Sequence, residues 1–421
     1  MISEKIKWPF KFIYYIIPFN IFYDFIGIYN PGRNSNMSLF RGFVILAILI
    51  IPYAKKLKIN KLSVAVFLFA VYVTSLFPFV SDLSYSINVS GKVFISLFML
   101  PIGFYLIDSE PKFNHLIRLQ TIILLFICVG FLANEIFNLG GYSYSEAVEM
   151  QFGSMRDNWN VLTYSLLISP LILLNGFYKI PRKERLLFVI LFIVVLIFIA
   201  ISFKRVAIAG VIVGASIFVF NYRKYQKIIF GIIGLFIVLA ILSPFYVNII
   251  SKQAEARAER FTFEGLREEA RYRESFFVWG DVFGFESYSK SFFGKEAFAS
   301  KGNYAEERFG KRMLHVDYNL ILSTCGIFGL VLYLNIYLSI YKLFKKLIPF
   351  APKEYGRLLK SVFFSLLLTS LFTSLAGQMY QPTFRIIIFL YIGAILGVLN
   401  SFRKNHYIKM AVKVKAEIHS N

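Results

Sequence analysis

YNLILSTCGIFGLVLYLNIYLSIY, residues Tyr318–Tyr341, contains no charged side chain. It exceeds the roughly 20 apolar residues that carry a helix across a bilayer core, and it lacks the continuous polar face of a soluble surface helix. His315-Val-Asp317 stands immediately before it, and Lys342, Lys345 and Lys346 follow it. An apolar run closed by lysines on one side and by a long mixed-charge segment on the other predicts a membrane-spanning helix.

The pattern recurs in both directions. Similar runs are Trp8–Ile28, Leu39–Ala54, Leu62–Val80, Val93–Ile107, Leu116–Asn138, Asn160–Phe177, Leu186–Phe203, Val206–Phe220, Ile228–Ile250, Ser361–Leu375 and Phe384–Leu399. Counted with Tyr318–Tyr341, they predict an all-α integral membrane protein of about twelve spans. The composition agrees: 57% of the 421 residues are hydrophobic, against about 45–50% in soluble domains. Residues 1–248 would hold nine spans, 249–317 one large partly helical external loop, 318–401 the last three spans, and 402–421 a basic tail. Lys5 and Lys7 precede the first run, Lys11 and Asp24 interrupt it, and no small-x-small cleavage site follows, so it reads as a retained span.

The formal net charge is +22. Its distribution argues against nucleic-acid binding, because the cations sit in short clusters between apolar runs. Lys55, Lys56, Lys58 and Lys61 follow the second run; Lys179, Arg182, Lys183 and Arg185 the sixth; Arg223, Lys224 and Lys227 the eighth; Lys342, Lys345 and Lys346 the tenth; Arg403, Lys404 and Lys409 the last. All follow even-numbered spans and so share one side, which the positive-inside rule makes the cytoplasm. Segment 249–317 then faces outward. Within it, Ser251–Phe277 is rich in Glu, Arg and Ala, with Glu269 and Arg273 spaced i,i+4, and predicts helix. Phe285–Asn303, with Gly294 and Gly302 among aromatics, predicts irregular chain. Cys128 and Cys325 lie inside apolar runs, so neither a disulfide framework nor a zinc site with Cys ligands is expected.

Basic residues on the outer face are largely Arg, whose planar fork of donors suits paired phosphate oxygens. Loop arginines such as Arg271 and Arg273 also have Glu264, Glu268 and Glu269 nearby as ion-pair partners. Arg205, beside Lys204 in a junction almost without loop, and Arg385, after Gln381-Pro382-Thr383, stand at span boundaries. Two readings fit them: snorkelling to headgroups, or lining an outward-opening cavity. His315 is the side chain suited to proton exchange near neutral pH. In a helix Asn319 would share its face, whereas Asp317, two residues on, would point away unless the backbone turns.

Ser202-Phe-Lys-Arg205, then Arg271-Tyr-Arg273-Glu-Ser-Phe-Phe-Val-Trp279, Phe292-Phe-Gly294, and His315-Val-Asp-Tyr-Asn through Gly326-Ile-Phe-Gly329 follow in an order that resembles the O-antigen polymerase and O-antigen ligase superfamily of membrane glycosyltransferases. The resemblance covers roughly 158–329 and departs from the family at Lys204 and Asp317. It implies a GT-C-like fold and inverting transfer of a glycan from a polyprenyl (undecaprenyl) diphosphate to a sugar hydroxyl at the outer face. It also implies His315 as general base, with Asp317 and Asn319 in support. Arg205, Arg271, Arg273, Arg385 and Lys204 would bind the donor diphosphate. No carboxylate cluster for a metal is seen and no cofactor is expected; a chain-length regulator would be a further partner. The acceptor would be a glycan repeat unit for a polymerase or a lipid A core for a ligase. A flippase, the reading of a different class, predicts ionisable residues at mid-bilayer or broken helices in matched halves, and the spans here are nearly free of central charge.

The topology has a direct check. Reporter fusions at Lys301 should behave as external and fusions at Lys353 as cytoplasmic; the opposite result at either position reverses the orientation.

Overall fold

The computed structural model describes residues 60–137, 159–174, 180–202, 205–223, 270–294, 296–298, 314–377, 379 and 382–420, with isolated positions 44, 247 and 251. Among the described residues there is no strand. The helices, in chain order, are α1 Lys61–Ser75, α2 Leu83–Leu106, α3 Glu110–Phe137, α4 Trp159–Ile168, α5 Pro170–Leu173, α6 Arg182–Ser202, α7 Arg205–Tyr222, α8 Ala270–Phe283, α9 Tyr288–Phe293, α10 Asp317–Leu347, α11 Lys353–Thr373 and α12 Pro382–Ser420. Seven described segments are long and apolar enough to cross a membrane: Lys61–Phe79, Leu83–Leu106, Glu110–Gly130, Arg205–Tyr222, Asp317–Phe350, Lys353–Thr373 and Arg385–Val414. The protein is membrane-embedded and helical. The expected spans Trp8–Ile28, Leu39–Ala54 and Ile228–Ile250 lie outside the described residues, apart from positions 44 and 247.

Several helices run past the ends of their apolar stretches. α2 begins ten residues before Val93 because Ser86, Asn88 and Ser90 are buried against protein, so its polar first turns need no water. The expected irregular stretch Phe285–Asn303 contains α9; there Phe292 and Phe293 extend a short helix until Gly294 (φ 88°) stops it.

Two close helix crossings set the architecture. α2 and α12 meet through small residues: a Cβ on Gly103 would stand 2.5 Å from the Leu390 carbonyl oxygen, while Gly393 and Gly397 lie against the α2 backbone from Leu100 to Ile107. This small-xxx-small contact lets two backbones touch without help from the hydrophobic effect, which lipid does not supply. α7 packs on α4 and α11. Thr163 Oγ1 donates to the Ala207 carbonyl (3.2 Å) and Ser365 Oγ to that of Gly214 (2.8 Å). Gly214 faces Thr369 and Gly210 faces Thr373, so α7 and α11 run antiparallel and Arg205 lies at the Thr373 end of α11.

α10 is kinked at Gly326 (φ 69°, ψ −175°). The chain after α9 tucks into the kink. Gly294 abuts Thr324 and Cys325, and the Glu296 amide donates to the Thr324 carbonyl (3.2 Å). The Tyr72 hydroxyl of α1 lies 2.8 Å from the Cys325 carbonyl and 3.1 Å from that of Phe293. Ser86 Oγ donates to the Ala297 carbonyl, and Ala297 and Phe298 are buried. Carbonyls freed by the kink therefore find partners within the protein, as backbone inside a membrane must. Gly326 alone permits this: its φ is one that L side chains avoid, and a Cβ would strike the Phe292 carbonyl. Gly326→Ala should destabilise the protein by more than about 1 kcal/mol, seen as a lower unfolding temperature in detergent; an unchanged midpoint would show that the kink bears no strain.

Candidate functional site

The residues singled out in the sequence converge on one end of the bundle. α10 starts at Asp317, α11 ends at Thr373, α12 starts at Pro382, and Arg205 opens α7 at the same end. α8 crosses this end against the first turn of α10.

Asp317 and Arg385 form a buried ion pair, with 1% and 4% of each residue exposed. The pair is enclosed by further polar contacts. Asp317 Oδ1 accepts from the Met379 amide (2.6 Å), and the Asp317 amide donates to the Ser374 carbonyl (3.0 Å). Arg385 Nη2 reaches Ser374 Oγ at 3.0 Å and Nη1 reaches Tyr333 Oη at 3.1 Å. The guanidinium is thus engaged inside the protein. Arg385, expected either to snorkel to headgroups or to line an outward cavity, is instead paired with Asp317 at the junction of α10, α11 and α12, and Asp317, expected in support of His315, is turned to Arg385.

The carboxylate beside His315 is Glu274, on α8. It is fully buried, and its Oε1 accepts from the amides of His315 (2.7 Å) and Val316 (3.3 Å). These amides lie just ahead of α10, so the carboxylate also sits where the helix dipole favours negative charge. Glu274 Oε2 is 3.7 Å from His315 Nδ1, an ion-pair distance and too long for a hydrogen bond. Nδ1 itself is buried, whereas 37% of the His315 side chain is exposed, so the exposed part of the ring lies away from Glu274. His315 precedes α10 and shares no helix face with Asn319. Instead Asn319 is buried under α8, donating to Ser275 Oγ (2.7 Å) and accepting from Trp279 Nε1 (3.1 Å).

Glu274 was within the quoted motif, but the sequence reading gave it no role. Its signal was periodicity: Glu274, Val278 and Val282 are spaced i,i+4,i+8 and form the buried face of α8. A charge on the apolar stripe of an amphipathic helix marks a specific partner. Arg205 is half-buried at the α7 N-terminus and Arg273 is exposed. Arg271 falls within α8, but its side chain, like all of Lys204, lies outside the described residues. Among the described residues no group of three or more His, Cys, Asp or Glu is placed to hold a metal ion.

The arrangement provides a half-exposed imidazole with a carboxylate behind one ring nitrogen, next to a locked ion pair, with Arg205 at the same level of the bundle. Comparison with protein-family models and with curated proteins found no match to this chain. The two acid–base pairs should behave differently on substitution. Asp317→Asn leaves a buried, uncompensated guanidinium and should cost about 3–5 kcal/mol of stability, read from thermal unfolding in detergent. Asp317→Asn with the unfolding temperature of the parent would mean that water already reaches Arg385.

Proposed function

We propose that this chain is a membrane glycosyltransferase that joins glycan units carried on a polyprenyl diphosphate, acting as a polysaccharide polymerase. The observation that carries the reading is the partly exposed His315 beside the buried Glu274, on the same end of the bundle as Arg205. Seven apolar helices, the shorter apolar stretch Val161–Leu173, the helix Arg182–Ser202 and the further apolar runs at 8–28, 39–54 and 228–250 support an architecture of about twelve spans of the GT-C-like kind. The Lys-rich loops support an inner-membrane location with this end outward.

In the proposed reaction an acceptor sugar hydroxyl attacks the anomeric carbon of the donor from the face opposite the diphosphate. The new C–O bond forms as the bond to the diphosphate oxygen breaks, and the configuration inverts. The hydroxyl proton passes to His315 Nε2. Glu274, behind Nδ1, favours the proton on that nitrogen beforehand and stabilises the imidazolium afterwards, which is a positioning and electrostatic role. Charge developing on the leaving diphosphate falls to Arg205, with Arg271 and Arg273 as further candidates on α8. Arg385 is left out of the diphosphate site, since its guanidinium is already engaged by Asp317, Ser374 and Tyr333.

Single-turnover transfer from a labelled lipid-linked donor, measured beside donor binding, tests this. His315→Gln should retain donor binding and lose about 10²–10⁴-fold in turnover. Arg205→Ala should lose both, and Arg205→Lys should recover only part, since a point charge does not reproduce a two-pronged phosphate contact. In cells His315→Gln should accumulate lipid-linked single repeat units. Accumulation of long lipid-linked polymer would assign a ligase instead, and unchanged glycan in both variants would overturn the glycosyltransferase reading.

A further inference from the structure

We infer that α8 and α9 are immersed in the bilayer leaflet at the Asp317 end, with an aromatic face in contact with lipid. This inference is independent of the proposed chemistry. It starts from a helix that is apolar on two sides. The buried face of α8 carries Glu274, Val278 and Val282. Phe276 and Phe283 lie on the opposite face and are 73% and 50% exposed; Trp279 flanks them, 56% exposed, with its indole Nε1 turned in to Asn319. The aromatic surface continues into α9: Phe283 touches Phe285, which stacks on Tyr288 with ring centroids 6.0 Å apart, and Phe293 is 53% exposed. The charged residues Arg273, Asp281, Glu286 and Lys290 are exposed beside this strip. A soluble loop helix would turn its polar side to water; here the side away from the core is aromatic, as in helices that lie in a membrane interface.

Depth identifies the occupant. The end of α9 is fixed to the kink of α10, where Tyr72 joins the Phe293 and Cys325 carbonyls. Cys325 lies eight residues beyond Asp317, roughly 12 Å down α10 at the helical rise. Counting a hydrocarbon core of roughly 20 residues back from Lys342 puts its boundary near Leu322, so Cys325 and the end of α9 are inside it. α1 and α10, which flank the tuck, are themselves spanning segments with lipid-facing side chains such as Phe67, Val71, Phe328 and Val331. The exposed aromatic strip is therefore continuous with the lipid-facing surface of the bundle. It descends from headgroup level at Phe276 to acyl-chain level at Phe293, the zone in which amphipathic aromatic rings are favoured. A soluble protein could not reach the lower end of this strip without displacing lipid.

Fluorescence quenching in the full-length protein tests the inference. The chain has three tryptophans; Trp8→Phe with Trp159→Phe leaves Trp279 as the sole emitter. After reconstitution in phosphatidylcholine vesicles, Trp279 emission should be blue-shifted and should lose most of its intensity when the lipids are brominated close to the carbonyl end of the chains. Aqueous iodide should quench it little. In a second protein, which adds Trp279→Phe and Phe293→Trp to the same two substitutions, quenching should be stronger with lipids brominated nearer mid-chain. Should either protein fail to fold, Phe276→Cys and Phe293→Cys in the otherwise unaltered chain replace it. A membrane-impermeant maleimide should then modify position 293 far more slowly than position 276. Full iodide quenching of Trp279 with no effect of brominated lipid, or equal rapid modification of both cysteines, would place the strip in water and overturn the inference.

Discussion

Removing a carboxylate and a guanidinium from water costs several kcal/mol for each ion, and Asp317 and Arg385 are both almost fully buried at the mouth of the bundle. Their burial is tolerable because each meets the other and because Met379, Ser374 and Tyr333 engage Asp317 Oδ1 and the two terminal guanidinium nitrogens. That set of contacts draws on α10, the end of α11, the turn after it and the start of α12. It fixes where α10 begins. His315 and Val316 are the last residues before that start, and the carbonyl of His315 packs directly on Gly377 in the α11–α12 turn. A displaced Asp317 would carry His315 with it.

Glu274 closes the same junction from the loop side. Its carboxylate holds the two amides just ahead of α10, which have no intrahelical partner, and thereby ties α8 to the bundle. Asn319 and Trp279 repeat the tie one turn along each helix. The tuck at Gly326 provides a third attachment further down α10. The loop helices are thus anchored at three heights along one spanning helix. This gives the half-exposed His315 side chain a backbone with little freedom to move.

The membrane character was legible from apolar run length alone, because lipid demands that a span satisfy its backbone internally and present apolar side chains outward. Helix ends were less legible. Buried Ser86, Asn88 and Ser90 look like loop residues in a hydropathy pattern, yet protein neighbours replace water for them. α9 was missed because six residues between glycine and aromatic punctuation carry almost no periodic signal. His315, Arg205 and Arg385 lie at one end of the bundle, and each stands at a span boundary in the sequence. Their partners were not readable, because pairing across 68 residues, as for Asp317 and Arg385, depends on which helix ends meet in space. Glu274 was readable in principle from its i,i+4 relation to Val278.

Burial separates the two acid–base pairs in kind. The Asp317–Arg385 pair is almost fully buried and each group is engaged by the other, so neither presents its charge to solvent. It can hold structure and little else. The Glu274–His315 pair differs in one respect: its carboxylate is dry and its imidazole is partly wet. A carboxylate shielded from water exerts its field on the ring with little screening, while the part of the ring away from Glu274 stays exposed. A general base needs that asymmetry, since it must be held firmly on one nitrogen and remain accessible at the other. The same end of the bundle thus contains one charge pair whose burial suits it to scaffolding and one whose partial exposure suits it to proton transfer, and the difference follows from which residue in each pair stands at the water side of the α10 N-terminus.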